Sequence, residues 1–252
     1  MTEFESKVRY LTTRIGIGSP VAGSEPKSFG TGFFVNVSVP NGDPGEWMTL
    51  LFSNKHVYDH DTGIYLLLHK LNEQRTGPVP GGYGKYYWSD FLNVYHEHPN
   101  EDLDLSCINL AAAAQQAGAF FQGLPLECIK RDASYPARVG QEVIFVGYPG
   151  GEGADGDIVY PQIRRGIIAT SPSSDEVGEH IFLIDGEVVG GCSGSPVFVV
   201  DDGVYYFLGV IFARVRQKNQ GVVIKPKIVA QFVEHCMYEA RNELFRAEGR
   251  TC

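Results

Sequence analysis

The segment Gly190-Gly191-Cys192-Ser193-Gly194-Ser195-Pro196-Val197-Phe198 sets a serine in a glycine-rich turn that runs directly into an apolar strand. Glycines flanking Ser193 let the backbone come close to a substrate carbonyl, so that two N–H groups can point at one oxygen. A hydroxyl is a weak nucleophile and needs a base, itself oriented by a third group. Candidates for both lie upstream. Thr49-Leu50-Leu51-Phe52-Ser53-Asn54-Lys55-His56-Val57 reads as an apolar strand running out into a polar turn, with His56 at its end. Asp102-Leu103-Asp104-Leu105-Ser106-Cys107-Ile108 alternates acidic and apolar residues, as a half-buried strand with a carboxylate at its start would. The residues alone leave Asp102 and Asp104 as competing orienting acids.

The order His, Asp, Ser differs from that of subtilisin-like chains and of α/β-hydrolases. With it come Gly30-Thr31-Gly32-Phe33-Phe34-Val35 ahead of the histidine and Gly221-Val222-Val223-Ile224-Lys225-Pro226 near the end. In this ordered set the chain resembles the chymotrypsin/trypsin-like serine peptidases, in the bacterial, HtrA-like form of the protease domain. The resemblance implies an all-β fold of two six-stranded antiparallel β-barrels with a C-terminal helix. It also implies a serine endopeptidase that works without cofactor or metal. Ser193 would be the nucleophile, His56 the general base and Asp104 the orienting acid, since Asp104 directly precedes the apolar-small-apolar-apolar run that the family pattern requires. The backbone N–H groups of Gly191 and Ser193 would form the oxyanion hole.

For specificity, Glu187 stands six residues before Ser193, where family members that prefer basic residues carry an acid at the pocket base. Ala213, Arg214 and Gly221 match its walls. A desolvated acid would select Arg or Lys in the substrate, although Arg214 could neutralise it. Three departures from the family stand out. Cys192 replaces the aspartate that in digestive relatives pairs with a newly cut N-terminus, so no activation of that kind is expected and Cys192 reads as a small filler. Phe212 occupies the position of a serine near the buried acid, so Asp104 must take support from another group. HtrA-like relatives place a small residue at the position of Glu187.

The 252 residues could bury about three quarters of their unfolded surface. Hydrophobic residues at 43%, charged residues at 20%, 30 glycines and 14 prolines suit a turn-rich β protein. A net charge of −9 without basic runs argues against nucleic acid as a partner. No apolar run is long enough to span a bilayer, and Met1 to Lys7 lack a leader pattern, so a cytoplasmic protein is expected. Five scattered cysteines suggest reduced thiols. The expected partners are a protein or peptide substrate and an activating or inhibitory protein that restrains the enzyme. The rival reading is a catalytically silent or partner-activated module that holds a peptide in the same groove.

The resemblance implies a division into a first barrel at 1–112, a connector at 113–137, a second barrel at 138–226 and a helix with tail at 227–252. Strands are expected over Val8–Ile17, Gly32–Val39, Met48–Phe52 and Tyr65–Leu68, then Glu142–Val146, Gln162–Ala169, His180–Ile184, Val197–Val200 and Tyr205–Phe212. Gln74–Lys85 reads as loop, Leu110–Gln122 as helix-favouring, and Ile228 to about Phe245 as an amphipathic helix. The pairs His56/His60 and His96/His98 lack a third metal ligand, and Gly150–Asp157 lacks calcium-loop spacing.

Overall fold

Strands buried along most of their length organise both halves of the chain, which a computed structural model describes over residues 3–18, 28–39, 47–58, 62–110, 118–150, 160–215 and 218–247. The first half comprises α1 (Glu3–Leu11), β1 (Thr12–Ile17), β2 (Ser28–Ser38), β3 (Trp47–Ser53), β4 (Ile64–Leu71), β5 (Pro78–Trp88), β6 (Tyr95–Glu97), β7 (Ser106–Asn109), β8 (Ala119–Phe120) and β9 (Leu124–Pro125). These strands form one nine-stranded sheet in the order β5-β4-β1-β2-β3-β7-β6, with β8 on β4 and β9 on β2. The count exceeds the expected six because the short strands β6, β8 and β9 add to six longer ones.

After α2 (Leu126–Asp132), the second half comprises β10 (Glu142–Gly147), β11 (Gln162–Ile168), β12 (Ile181–Asp185), β13 (Pro196–Asp201), β14 (Val204–Val215) and β15 (Gln220–Ile224). They close into a six-stranded barrel in the order β10-β11-β12-β15-β14-β13. The fold is mostly β, a barrel and a second sheet, and it ends in α3 (Pro226–Ala247).

Three local expectations fail. The strand expected from Val8 begins only at Thr12, because Phe4, Val8 and Leu11 recur at helical spacing. Val8 and Leu11 are buried and the Phe4 ring stacks on Tyr205 of β14. The loop expected over Gln74–Lys85 is mostly β5, whose prolines and glycines are tolerated because, among the described residues, it is the last strand of the sheet and pairs with β4 alone. Of the helix-favouring segment Leu110–Gln122, residues 111–117 lie outside the described residues, and Ala119–Phe120 form β8.

The C-terminal helix follows its sequence pattern. Pro226 opens it, where its missing N–H costs nothing. Ile228, Val229, Phe232, Val233 and Cys236 are buried along one face. That face serves both halves of the molecule, because its core cluster takes Phe52, Leu105 and Cys107 from the first half and Val210 and Ile224 from the second. Cys236 Sγ lies 3.5 Å from Cys107 Sγ, both as free thiols. Among the described residues no helix is long and apolar enough to cross a membrane.

Candidate active site

Each of the three residues singled out for chemistry sits in a turn or loop next to a strand. β3 ends at Ser53, and the chain tightens into a single helical turn over Lys55–Val57 that lifts His56 off the sheet, its side chain half exposed. Asp104 lies in the loop before β7, and Ser193 in the turn before β13. The antiparallel pairing of β3 with β7 matches Ser53 with Ser106, which brings the segments holding His56 and Asp104 alongside each other.

His56 Nδ1 lies 2.5 Å from Asp104 Oδ2, and the other carboxylate oxygen accepts the His56 backbone N–H at 3.2 Å. His56 Nε2 lies 2.9 Å from Ser193 Oγ. A carboxylate, an imidazole and a hydroxyl thus form one chain of hydrogen bonds that can pass a proton from Ser193 to His56 and stabilise the imidazolium that results. Asp102 lies outside it. Exposed, with its backbone N–H given to Asn100 Oδ1, it helps shape the loop. Asp104 receives its support from Asn54, whose buried side-chain amide donates to the Asp104 carbonyl at 2.7 Å. Phe212 instead packs against the hydrophobic core.

Thr31, at the centre of the Gly-Thr-Gly segment of β2, ties the first half of the protein to the serine turn. Its backbone N–H donates to the Ser193 carbonyl at 2.8 Å, and its hydroxyl donates to the Gly191 carbonyl at 2.8 Å. The same hydroxyl accepts the Tyr148 N–H at 3.0 Å, and the Thr31 carbonyl accepts from Ser53 Oγ at 2.7 Å. Sequence reasoning recognised the segment but gave Thr31 no role, since its partners lie up to 162 positions away and leave no local trace. Thr31→Val keeps the shape and removes the hydroxyl, leaving the buried Tyr148 N–H and Gly191 carbonyl unpaired. The expected cost is about 3 kcal/mol of stability, read from urea unfolding.

Within the serine turn, Gly191 adopts φ +87°, and neither its N–H nor that of Ser193 is given to another backbone carbonyl among the described residues. Cys192 beside them is buried in the second-barrel core, and burial pushes its thiol up from the ordinary range. It fills space and presents no thiolate.

Glu187 is not the desolvated acid that the sequence suggested. Its side chain is 67% exposed and forms an ion pair with Arg164 of β11. The inward residue is Val188, which packs against Gly221, where an added Cβ would stand 2.7 Å from Val188 Cγ2. Gly221 of β15 pairs with Arg214 on the neighbouring strand β14, and Val222 pairs with Ala213. Arg214 is exposed and is not the partner of Glu187.

Two other histidine readings are settled by neighbours. His98 Nδ1 accepts the Asn100 N–H at 3.1 Å and its ring packs on Phe232, while His96 lies on β6 opposite Cys107. His60 and most of Gly150–Asp157 lie outside the described residues.

Residues 30–206 match the trypsin-like peptidase domain family. Among solved structures, the chain is similar to the serine endoprotease from Yersinia pestis, at 14% identity and a TM-score of 0.56, covering 95% of this chain and 68% of that one. It is also similar to the Rv3671c protease from M. tuberculosis in its active form, at 19% identity and a TM-score of 0.54, covering 91% and 82%. The inactive form of that protease gives 18% identity and a TM-score of 0.52, covering 92% and 91%. No curated protein matches the chain in sequence.

Proposed function

We propose that this chain, which belongs to the trypsin-like peptidase family, is a serine endopeptidase that cleaves peptide bonds through an acyl-enzyme formed on Ser193. The observation that carries the reading is the His56 imidazole, 2.9 Å from Ser193 Oγ on one side and 2.5 Å from Asp104 on the other. In this reading Ser193 Oγ attacks the scissile carbonyl while His56 Nε2 takes its proton. Asp104 holds the Nδ1 proton and stabilises the imidazolium. The N–H groups of Gly191 and Ser193 receive the developing oxyanion, each donor being worth about 3 kcal/mol in the transition state. His56 then returns the proton to the leaving amine, and water releases the acyl group by the same route in reverse.

The substrates we infer are proteins or peptides inside the cell. A reducing compartment is supported by the four described cysteines, which are all free thiols even where two of them touch. Preference for a basic residue at the cleavage site has weaker support, because the acid that would select it already holds Arg164.

The test is incubation of the protein with a fluorophosphonate probe, read by intact mass. Wild type and Cys192→Ala are expected to gain one label and Ser193→Ala none. Failure of wild type to label would overturn the reading in favour of a peptide-holding module that is silent until a partner acts.

A further inference from the structure

The ladder between β3 and β7 ends where Ser53 pairs with Ser106. Beyond it, among the described residues, no backbone–backbone bond joins the turn that carries His56 to the loop that carries Asp104. Side chains take over. Asn54 donates its amide to the Asp104 carbonyl at 2.7 Å, and the His56 N–H reaches the Asp104 carboxylate at 3.2 Å. Lys55, the residue between them, sends its side chain to the middle of the same loop. Its Nζ lies 3.4 Å from the His98 carbonyl, 3.5 Å from those of Asn100 and Glu101, and 3.9 Å from a Glu97 carboxylate oxygen.

Resting on the peptidase reading above, we propose that Lys55 is a positioning residue for the orienting carboxylate: its ammonium group is the cation around which loop 97–104 closes, and by holding that loop it keeps Asp104 on His56.

The argument starts from the charge of the loop itself. Residues 97–104 include Glu97, Glu101, Asp102 and Asp104 and no lysine or arginine, so a cation has to come from another segment. The bend is closed by the His98 N–H on the Leu105 carbonyl and drawn in by the Leu103 N–H on the Asn100 carbonyl. Within it the carbonyls of residues 98, 100 and 101 converge on one point, the Lys55 Nζ. Dipoles with their negative ends together repel one another unless a positive charge stands among them. An ammonium group suits that place, because three N–H donors diverge from one compact charge. At 3.4–3.5 Å no single bond is strong, and the hold comes from one charge shared among several oxygens. The Lys55 side chain is only 18% exposed, so water screens it little.

Lys55 also opens the helical turn that lifts His56 off the sheet. One residue therefore fastens the turn of the base to the loop of its acid, at a place where the sheet no longer does so. Without the charge the three carbonyls turn toward water and the loop moves, carrying Asp104 with it. A displacement of about 1 Å at a catalytic group costs about a hundredfold in rate.

The test is the rate at which a fluorophosphonate labels Ser193, read by intact mass on protein whose folding is checked by circular dichroism. Lys55→Met is expected to label about a hundredfold more slowly than wild type. A double-variant cycle separates positioning from a general loss of structure. In an Asp104→Asn background, where the carboxylate is already gone, Lys55→Met is expected to slow labelling by no more than about twofold. Lys55→Ala supplies a second measurement, because the atoms it removes have the shape of n-propylammonium. That ion is expected to speed labelling of Lys55→Ala about tenfold, whereas tetramethylammonium, which carries the charge without an N–H, is expected to leave it unchanged. Labelling of Lys55→Met at the wild-type rate would overturn the proposal, as would a full loss that persists in the Asp104→Asn background. If Lys55→Met does not fold, the two amines decide: equal effects on Lys55→Ala, or none from n-propylammonium, overturn the proposal. A labelled wild type with no effect at Lys55 overturns this assignment alone, and absence of label from wild type overturns the peptidase reading and the assignment with it.

Discussion

Asp104→Asn is expected to lower kcat/KM by about four orders of magnitude while shifting the thermal midpoint by only a few degrees. The reason lies in the two donors that the carboxylate receives. Its Oδ2 faces His56 Nδ1 at 2.5 Å and its Oδ1 faces the His56 backbone N–H at 3.2 Å. A carboxamide has one acceptor and one donor end, so it can satisfy only one of the two. The backbone N–H cannot change its character, whereas imidazole can move its proton from Nδ1 to Nε2. The low-energy arrangement therefore points the amide oxygen at the backbone and the amide NH2 at a deprotonated Nδ1. Nε2 then carries the proton and becomes a donor toward Ser193 Oγ, unable to accept the proton that the reaction must move. Geometry survives and the tautomer is wrong. Asp102→Asn is the matched control and should leave kcat/KM near wild type, since Asp102 lies outside the hydrogen-bonded chain. Equal losses in the two variants would mean that Asp104 acts through loop structure and not through the imidazole.

The features legible in the sequence are those written in short windows. A strand running out at His56, a glycine-flanked Ser193 and an acid before Leu105 can be read from a few neighbouring residues each. Ile228, Val229, Phe232, Val233 and Cys236 spell a helix face without reference to anything else. The misreadings occurred where a partner distant in sequence decides the outcome. Val8 to Leu11 are apolar enough for a strand, and the helix is favoured because Phe4 can reach Tyr205 some two hundred positions later. Pro78 and Gly81 argue against a strand unless it is known to lie at the end of a sheet, which is a property of the topology. Thr31 looks like a spacer between glycines until the serine turn is folded onto it. The Cys107–Cys236 contact and the Arg164–Glu187 pair likewise join separate elements, and no periodicity encodes them. Strand alternation could place Arg164 on β11, but could not pair it with Glu187 in the turn beyond β12.

Gly191→Ala is expected to cost between about a hundredfold and a thousandfold in kcat, with a smaller change in KM, because its N–H is one of the two groups that the peptidase reading assigns to the oxyanion. Two effects act together at this position. The φ of +87° is one that residues with a side chain rarely adopt. An added Cβ would also overlap the backbone carbonyl of Tyr148, which cannot rotate away as a side chain would. The turn must therefore shift against its anchors, the Gly191 and Ser193 carbonyls held by Thr31 and the Gly190 carbonyl held by the Gly150 N–H. Any such shift moves the Gly191 N–H, which the peptidase reading aims at the substrate. Gly203 in the β13–β14 turn separates the two effects. Its φ is +76°, yet a Cβ there meets nothing within 4 Å. Gly203→Ala should therefore lose about 1 kcal/mol of stability from backbone strain alone, with kcat unchanged. If Gly191→Ala lost stability to the same extent as Gly203→Ala and kept its kcat, the N–H of residue 191 would have no part in stabilising the transition state, and the charge would have to be carried by Ser193 N–H and groups supplied by the substrate.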